Sequence, residues 1–549
     1  MHLHHHWMAN ISLAGCTACV LMAMPTLFSA SVFAQVPEMG GAQSAGHADG
    51  ASPQGTSTGA AGSSPAQGGA PTGAPEHKGR WFEPRITIQH TVTSNGPLTS
   101  GGGSDQVTEV MPGFSVIRDS ARVKGFADYT LHGTHYARGT SSDKVWHNLN
   151  ARGTVEAIDN HLYIDIDGML GLQPVSAFGP TGTSLANSNM AKTSSFRVSP
   201  YIRGEFVNGV DYEVRYGLQE FRSDTASNSN VTINDWRLHL GKVPRGQLFG
   251  WGLDATQEDA DYSNGRNIDT TALRGRLTYL PVATLSVTGI VGVESTNQLS
   301  PEKKSHRITG FAIDWRPSER SRLFVERQSR YFGESHNASL EYRTARTVWR
   351  YTDQKDVMSG LGVQSASMGS LFDLLDGFYA GLEPNPILRM RIIQAELARL
   401  GLPPDTKIFQ DFLSSSSRLQ RSQNLSLALL GRRSTLTLAA LRSDTRQMDG
   451  SLSLGDDFQN NQRIRQRGWS AIIGHRLTPN TTVNAMVSGT RSIGSTLGWE
   501  MKTRMFQLGM NTLVAPRTSL GLQLRRVLSD GNVSNYDESA VMAFITHRF

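Results

Sequence analysis

From Arg85 onward the sequence is a long series of short segments in which apolar and polar residues alternate. Leu162, Ile164, Ile166, Leu170 and Leu172 share one face, while Tyr163, Asp165 and Asp167 share the other. Tyr212, Val214, Tyr216 and Leu218 alternate with Glu213, Arg215 and Gln219. Leu273, Leu277 and Tyr279 alternate with Arg274 and Arg276, and Leu520, Leu522 and Leu524 with Gln523 and Arg525. Period two places successive side chains on opposite faces of a strand. Charges confined to one face suit a strand with lipid on one side and water on the other. A soluble sandwich also alternates, but rarely sustains the pattern over so long a single domain.

The connections sharpen this reading. Tight turns at residues 119–121, 158–160, 244–246, 281–283, 478–480 and 515–517 alternate with longer polar loops at 94–105, 174–194, 223–230, 298–306, 448–460 and 529–536. Short turns at one end and long loops at the other are the asymmetry of an outer-membrane barrel. The predicted fold class is all-β: a transmembrane, antiparallel, up-and-down β-barrel of about 22 strands, range roughly 18–24, with one helical insertion. An even count places both mature termini in the periplasm. Phe549 closes an alternating final segment that also carries Val541, Ala543 and Ile545. A terminal aromatic in that setting resembles the signal read by the barrel-assembly machinery, with His547 where a Tyr or hydrophobe is usual.

One region, 357–417, breaks the alternation. Ser370 reads as a helix cap, followed by an apolar stripe of Leu371, Leu374, Leu375 and Phe378. Asn385-Pro386 opens a second helix, with Met390, Ile393, Leu397 and Leu400 on one face and Gly401 ending it. Arg389, Arg391, Glu396 and Arg399 fall on its polar face. Two readings stand: a lid or plug in the mouth or lumen, or a surface domain packing its stripe on itself or on neighbouring loops. The arginines suit lumen contacts for an anion, and equally a solvated helix face.

The N-terminus is of another kind. An apolar segment from Ile11 to Phe33 ends in Val32-Phe33-Ala34, which predicts a signal peptide over 1–34 and a mature start at Gln35. Its first residues hold His2, His4, His5 and His6 and no Lys or Arg, and are read as part of the leader rather than as a metal site. Leu13-Ala14-Gly15-Cys16 matches a lipoprotein box, but the apolar core follows the cysteine, so the match is set aside. Residues 35–80 are Gly, Ala, Ser, Pro and Gln with almost no large apolar side chain, which predicts a disordered periplasmic linker. Gly55-Thr56-Ser57-Thr58-Gly59 fits the nucleophile-elbow pattern but lacks the strand and helix that motif requires.

Composition adds limits. No apolar run of about 18 residues follows the leader, so no helical anchor is expected beyond it. Mean hydropathy is −0.32, which a barrel tolerates because only alternate residues face lipid. Both cysteines, Cys16 and Cys19, precede the mature start, excluding disulfides and thiolate metal sites beyond it. Of 53 basic and 47 acidic residues, Lys78, Arg80, Glu38, Asp49 and Glu76 precede Trp81, leaving 51 against 44 beyond it. That excess of seven reads as spread along the strands rather than clustered, favouring an anion-tolerant interior over nucleic-acid binding.

Ser104-Asp105, Val107-Thr108-Glu109 and Met111-Pro112-Gly113, followed by Asp128-Tyr129, resemble the opening strands of the outer-membrane barrels associated with PEP-CTERM/exosortase systems. Phe332-Gly333, Ser335, Ser339-Leu340, Tyr342-Arg343-Thr344-Ala345-Arg346 and Trp349 resemble the same family, as does the helical insertion ending at Leu400-Gly401-Leu402-Pro403. The likeness covers about Arg85 to Phe549, and its motifs are structural rather than catalytic. It implies a barrel linked to exopolysaccharide or surface-protein export.

The leading functional expectation is a porin-like or export channel for a polar, anionic solute such as a polysaccharide. Arg274, Arg276, Arg350 and Arg525 are the inward cations proposed for it, because rings of Arg or Lys favour anions. Alternatively, inward charges merely solvate the interior and pair with Asp165, Asp167, Glu213 and Asp314. A closed structural or adhesive barrel is the second class, and a lipid- or polysaccharide-modifying enzyme the third. No His-Glu-x-x-His motif or credible nucleophile elbow occurs. No catalytic residue, metal or cofactor is therefore expected, and the expected partners are outer-membrane lipid, the assembly machinery and export components.

Overall fold

The computed structural model describes residues 81–182, 187–225, 230–244, 246–263, 265, 267–358, 371–379, 383, 386–400, 412–414, 417–448 and 456–549. The expected leader and linker (1–34 and 35–80), Ser370, Asn385 and residues 401–403 lie outside them, as do the side chains of Leu374, Pro386, Arg399 and Leu400. The first strands are β1 Phe82–Thr93, β2 Asp105–Asp119, β3 Val123–Tyr136, β4 Lys144–Ile158, β5 Leu162–Pro174, β6 Met190–Glu205 and β7 Asp211–Ser223. Next come β8 Val231–Lys242, β9 Phe249–Tyr262, β10 Ile268–Val282, β11 Leu285–Thr296, β12 Lys304–Ser318, β13 Ser321–Arg330, β14 Gly333–Arg343 and β15 Thr347–Met358. Helices α1 Leu371–Tyr379 and α2 Pro386–Leu400 intervene. The chain finishes with β16 Arg418–Leu430, β17 Ser434–Gln447, β18 Arg463–Arg476, β19 Thr481–Gly494, β20 Glu500–Ala515, β21 Thr518–Gly531 and β22 Tyr536–Arg548.

Each strand pairs antiparallel with the next, and β22 returns to β1 in register from Arg85↔Arg548 to Thr93↔Ala540. The 22-stranded sheet is thus closed and has no free edge. Alternation decides which face is which. Leu277 and Val291 are 60% and 65% exposed on the outside, whereas Arg274 on the opposite face is 4% exposed. An apolar exterior around a charged interior inverts a soluble barrel, and only lipid satisfies it. Tyr279, Trp315, Tyr342 and Trp349 point outward near the short-turn end, where an aromatic girdle meets a membrane interface. No helix among the described residues is long and apolar enough to cross a membrane.

The two rims differ as the turn spacing predicts. Residues 283–284, 319–320 and 516–517 make tight turns at one end, while 175–189, 359–417 and 448–462 make long connections at the other. One connection departs from strict alternation. On the long-loop rim β13 and β14 are joined by Tyr331 and Phe332 alone, and Gly333 takes φ +103, which a Cβ would oppose.

The expected even spread of positive charge is corrected by the structure. On the outer face of β17 and β18 stand Arg442, Arg446, Arg463, Arg465 and Arg467, all exposed. Arg491 on β19, Lys502 and Arg504 on β20 and Arg526 on β21 continue the patch. Against these nine cations the same outer face of β17–β21 carries Asp444, Glu500 and Asp530. Successive hairpins stack these charges side by side across consecutive strands, so cations separated along the chain by a turn or a loop gather in space.

Candidate functional site

The interior of the barrel is the site where the unusual parts of the sequence meet. Helices α1 and α2 pack on each other, and the Arg389 guanidinium joins them by donating to Asp376 at 2.7 Å and to the Glu383 carbonyl at 3.1 Å. Leu371, Leu375, Phe378, Ile393 and Leu397 are buried in one cluster with Val348, Ala428, Ala439, Ile472 and Met486. Those five wall residues lie on the inward face of β15–β19, opposite such outward neighbours as Trp349, Leu438 and Ile473. The hairpin is therefore inside the lumen. Val348, Ala428 and Ile472 sit in the short-turn half of their strands, so α1 reaches deep, while α2 also touches β3 and β20.

Of the residues expected to form a plug or lid, Met390, Ile393 and Leu397 are at most 1% exposed. They make the buried face the helical spacing predicts. Arg391 is exposed, whereas Arg389 is committed within the hairpin, which accounts for it without a solute.

The long-loop rim closes inward above the hairpin. Leu98, Phe178, Phe412 and Phe458 come from four different connections and share a cluster with Ile464, Met501, Val527 and Tyr536. Residues Asp456 and Asp457 fasten it. Asp456 caps the 3-10 turn Asp457–Gln459 by accepting from the Phe458 amide, and also accepts from the Ser414 hydroxyl at 2.9 Å. Asp457 accepts from the Ser176 hydroxyl at 2.7 Å and the Ala177 amide at 2.6 Å. Burial holds the Asp457 carboxyl up at about 6, with Asp456 adding repulsion and the two donors opposing. The Leu413 amide donates to the Pro174 carbonyl, and the Thr181 amide to the Tyr536 hydroxyl. Asp105, from the resemblance motif, is 1% exposed and accepts from the Gln106, Arg138 and Thr140 amides, which marks it as structural.

The expected lumen charges all point inward, and the wall joins most of them in pairs. Asp165 and Glu213 share Arg215 at 2.7 and 2.9 Å, and Asp167 meets Arg152 at 2.8 Å. Arg276 lies 3.2 Å from Asp254, which also meets His239, and Arg525 grips Glu538 through two nitrogens. Asp314 is shared by Arg316 and Arg322. Arg350 is half-buried in register with Glu341. Arg274 is buried beside the Arg330 cluster, in which Arg330 holds Glu294 and Asp356, each at 2.9 Å. Such ladders solvate an interior wall and hold it rigid.

Sequence reasoning did not single out Asp456, Asp457, Glu294, Arg330 or Asp356. An Asp-Asp pair inside a long loop is the one signal that could have flagged the first two. Among the described residues no group of three or more His, Cys, Asp or Glu side chains could hold a metal ion.

A closed, lipid-facing barrel whose lumen holds a helical hairpin from its own wall defines the class of molecule. No protein-family model matches the sequence, and no curated protein does. Among solved structures, the siderophore receptor PirA from Pseudomonas aeruginosa aligns over 85% of this chain and 80% of its own, with 7% identity and a TM-score of 0.42. The FrpB iron transporter of Neisseria meningitidis, in its apoprotein form, aligns over 85% and 81% with 10% identity and a TM-score of 0.46. The Escherichia coli outer-membrane transporter YddB aligns over 86% and 81% with 9% identity and a TM-score of 0.42.

Proposed function

We propose that this chain is an outer-membrane transporter whose passage is controlled by the helical hairpin. The single observation carrying the reading is that α1 and α2 dock by an apolar face onto the inner wall at β15–β19. Wide barrels of this strand number enclose more space than wall side chains can fill, so a segment placed inside them governs what passes. The reading sets the long-loop rim outside the cell and the tight turns and both mature termini in the periplasm, as in bacterial barrels generally.

The solute class is proposed from the sequence. A polar, anionic chain such as a polysaccharide agrees with the family resemblance to barrels of surface-export systems and with the inward Arg274, Arg276, Arg350 and Arg525. The pairing of Arg276 and Arg525 with wall carboxylates limits what those two can offer a passing anion.

Single-channel recording in planar bilayers tests the proposal by comparing the full chain with a variant lacking 359–417. The expected result is small or intermittent conductance in the full chain and a large, steady conductance after deletion. No conductance from either protein would refute it and favour a closed structural barrel.

A further inference from the structure

The outward patch of cations on β17–β21 is not used by anything inside the lumen. Its geometry is unusual. Arg442 stands directly opposite Arg467, Arg467 opposite Arg491, and Arg491 opposite Lys502, so one register row crosses four strands with four cations. Like charges directly opposite on one face of a sheet repel and destabilise the pairing. Only part of that repulsion is relieved internally. Arg491 and Lys502 share Glu500, and Arg463 takes Asp444, whose charge also reaches Arg465 and Arg442. Arg442 and Arg467 make no hydrogen bond or ion pair among the described residues and remain exposed.

The row also has a definite height. On β17, β18 and β20 the outward residues change from Leu438 and Ala440 to Arg442, from Ile473, Ala471 and Trp469 to Arg467, and from Leu508 and Phe506 to Arg504. The cations begin where the apolar band stops, at the long-loop edge of the membrane. A row across four strands is about 14 Å wide at about 4.8 Å per strand. From Arg467 to Arg463 it also extends about 13 Å along the strand at about 3.3 Å per residue. The patch is therefore broader and deeper than one phosphodiester. On the opposite side of the barrel, the outward face of β9 and β10 carries Asp259, Asp261 and Asp269 at the same rim, so the patch is not a general feature of the edge.

We infer that this patch is a binding site for a glycolipid bearing more than one phosphate on a sugar headgroup, in the leaflet at the long-loop rim. Its acyl chains lie along Leu438, Trp469 and Phe506. Its phosphates meet Arg442 and Arg467, adding counter-charge where cations outnumber carboxylates. Arginine suits this task because its planar fork donates two parallel hydrogen bonds to phosphate oxygens. The inference does not depend on whether the lumen conducts.

Native mass spectrometry of the full chain in detergent tests it. The purified protein is titrated with a hexa-acylated, bis-phosphorylated glucosamine disaccharide lipid, and in separate arms with phosphatidylglycerol and with inorganic phosphate. R442Q/R467Q is compared with wild type and with R307Q, which removes an exposed outward arginine on β12. The expected result is a one-to-one glycolipid adduct whose affinity falls at least tenfold in R442Q/R467Q and is unchanged in R307Q. Phosphatidylglycerol should bind more weakly, and inorganic phosphate should not compete at millimolar concentration. Unchanged binding in R442Q/R467Q would overturn the site. Equal binding of phosphatidylglycerol, or displacement by inorganic phosphate, would overturn its assignment to a glycolipid. Because both arginines are exposed and unpaired, the variant barrel should fold as wild type, which heat-modifiable mobility on gels checks.

Discussion

Replacing both Ile393 and Leu397 by alanine should release the hairpin from the wall. The two side chains are 0% and 1% exposed and share one cluster with Ala439, Ile472 and Met486. A buried Ile or Leu reduced to Ala costs about 2–5 kcal/mol where the site cannot collapse. Neighbours in one cluster do not add fully, so about 4 kcal/mol for the pair is a fair central value. That corresponds to about a thousandfold change in the ratio of docked to undocked hairpin. The barrel strands keep their ladders, so the loss falls on docking rather than on the wall.

The chain's only cysteines are Cys16 and Cys19, so with both replaced by serine one introduced thiol is a unique reporter. Ala439, 7% exposed beneath the hairpin, is the position to use, with its outward neighbour Ala440 as control. Labelling of A439C by a polar maleimide should accelerate at least tenfold in I393A/L397A, because exposure tracks the open population when closing is fast. Labelling of A440C should not change. If A439C reacts within twofold of its rate in the otherwise unaltered chain, the apolar face is not what holds the hairpin, and the docking argument fails.

Two further outcomes are expected. For Asp457 the buried carboxyl sits at about 6, above its ordinary 3.8, so the rim it fastens is most stable below about pH 4 and loses stability as pH rises through 6. The change is roughly 3 kcal/mol at about 1.4 kcal/mol per unit. Conductance should therefore rise when the long-loop side goes from about pH 4.5 to about pH 7, and D457N should flatten the profile; a profile unmoved by D457N would show that this carboxyl is not the titrating group. Phe549 is 52% exposed while its amide donates to the Pro84 carbonyl, so F549A should leave the stability of the finished barrel within about 0.5 kcal/mol. It should nonetheless lower the heat-modifiable fraction in cells severalfold if the side chain serves assembly, and an unchanged folded yield would dismiss that role.

The barrel was legible because its two signals are local. Alternation around Leu273–Tyr279 or Leu520–Leu524 needs only neighbours in the chain, and loop length needs only counting. The stripe of Met390, Ile393 and Leu397 likewise announced a buried helix face. It could not announce which surface buries it, since a neighbouring loop and the inner wall are equally apolar partners in sequence. Charge pairing was illegible for a related reason. Asp165 finds Arg215 two strands away, and Arg330 on β13 likewise reaches Glu294 on β11 and Asp356 on β15, each two strands from its own. The outer cation row is a further case, because Arg442, Arg467, Arg491 and Lys502 align only once the register of three successive strand pairs is set.

The hairpin is spliced between β15 and β16 and rests chiefly on β15–β19, strands consecutive in the chain, whereas the barrel shuts where β22 meets β1. A half-formed wall of β15–β19 is an open trough, and the hairpin can be laid into it while the last strands are still unpaired. Once β22 pairs with β1, the described strands form a closed ring around the hairpin. Chain order thus keeps the hairpin's bed and the seam apart: one is made by neighbours in the sequence, the other by the two ends of the strand series.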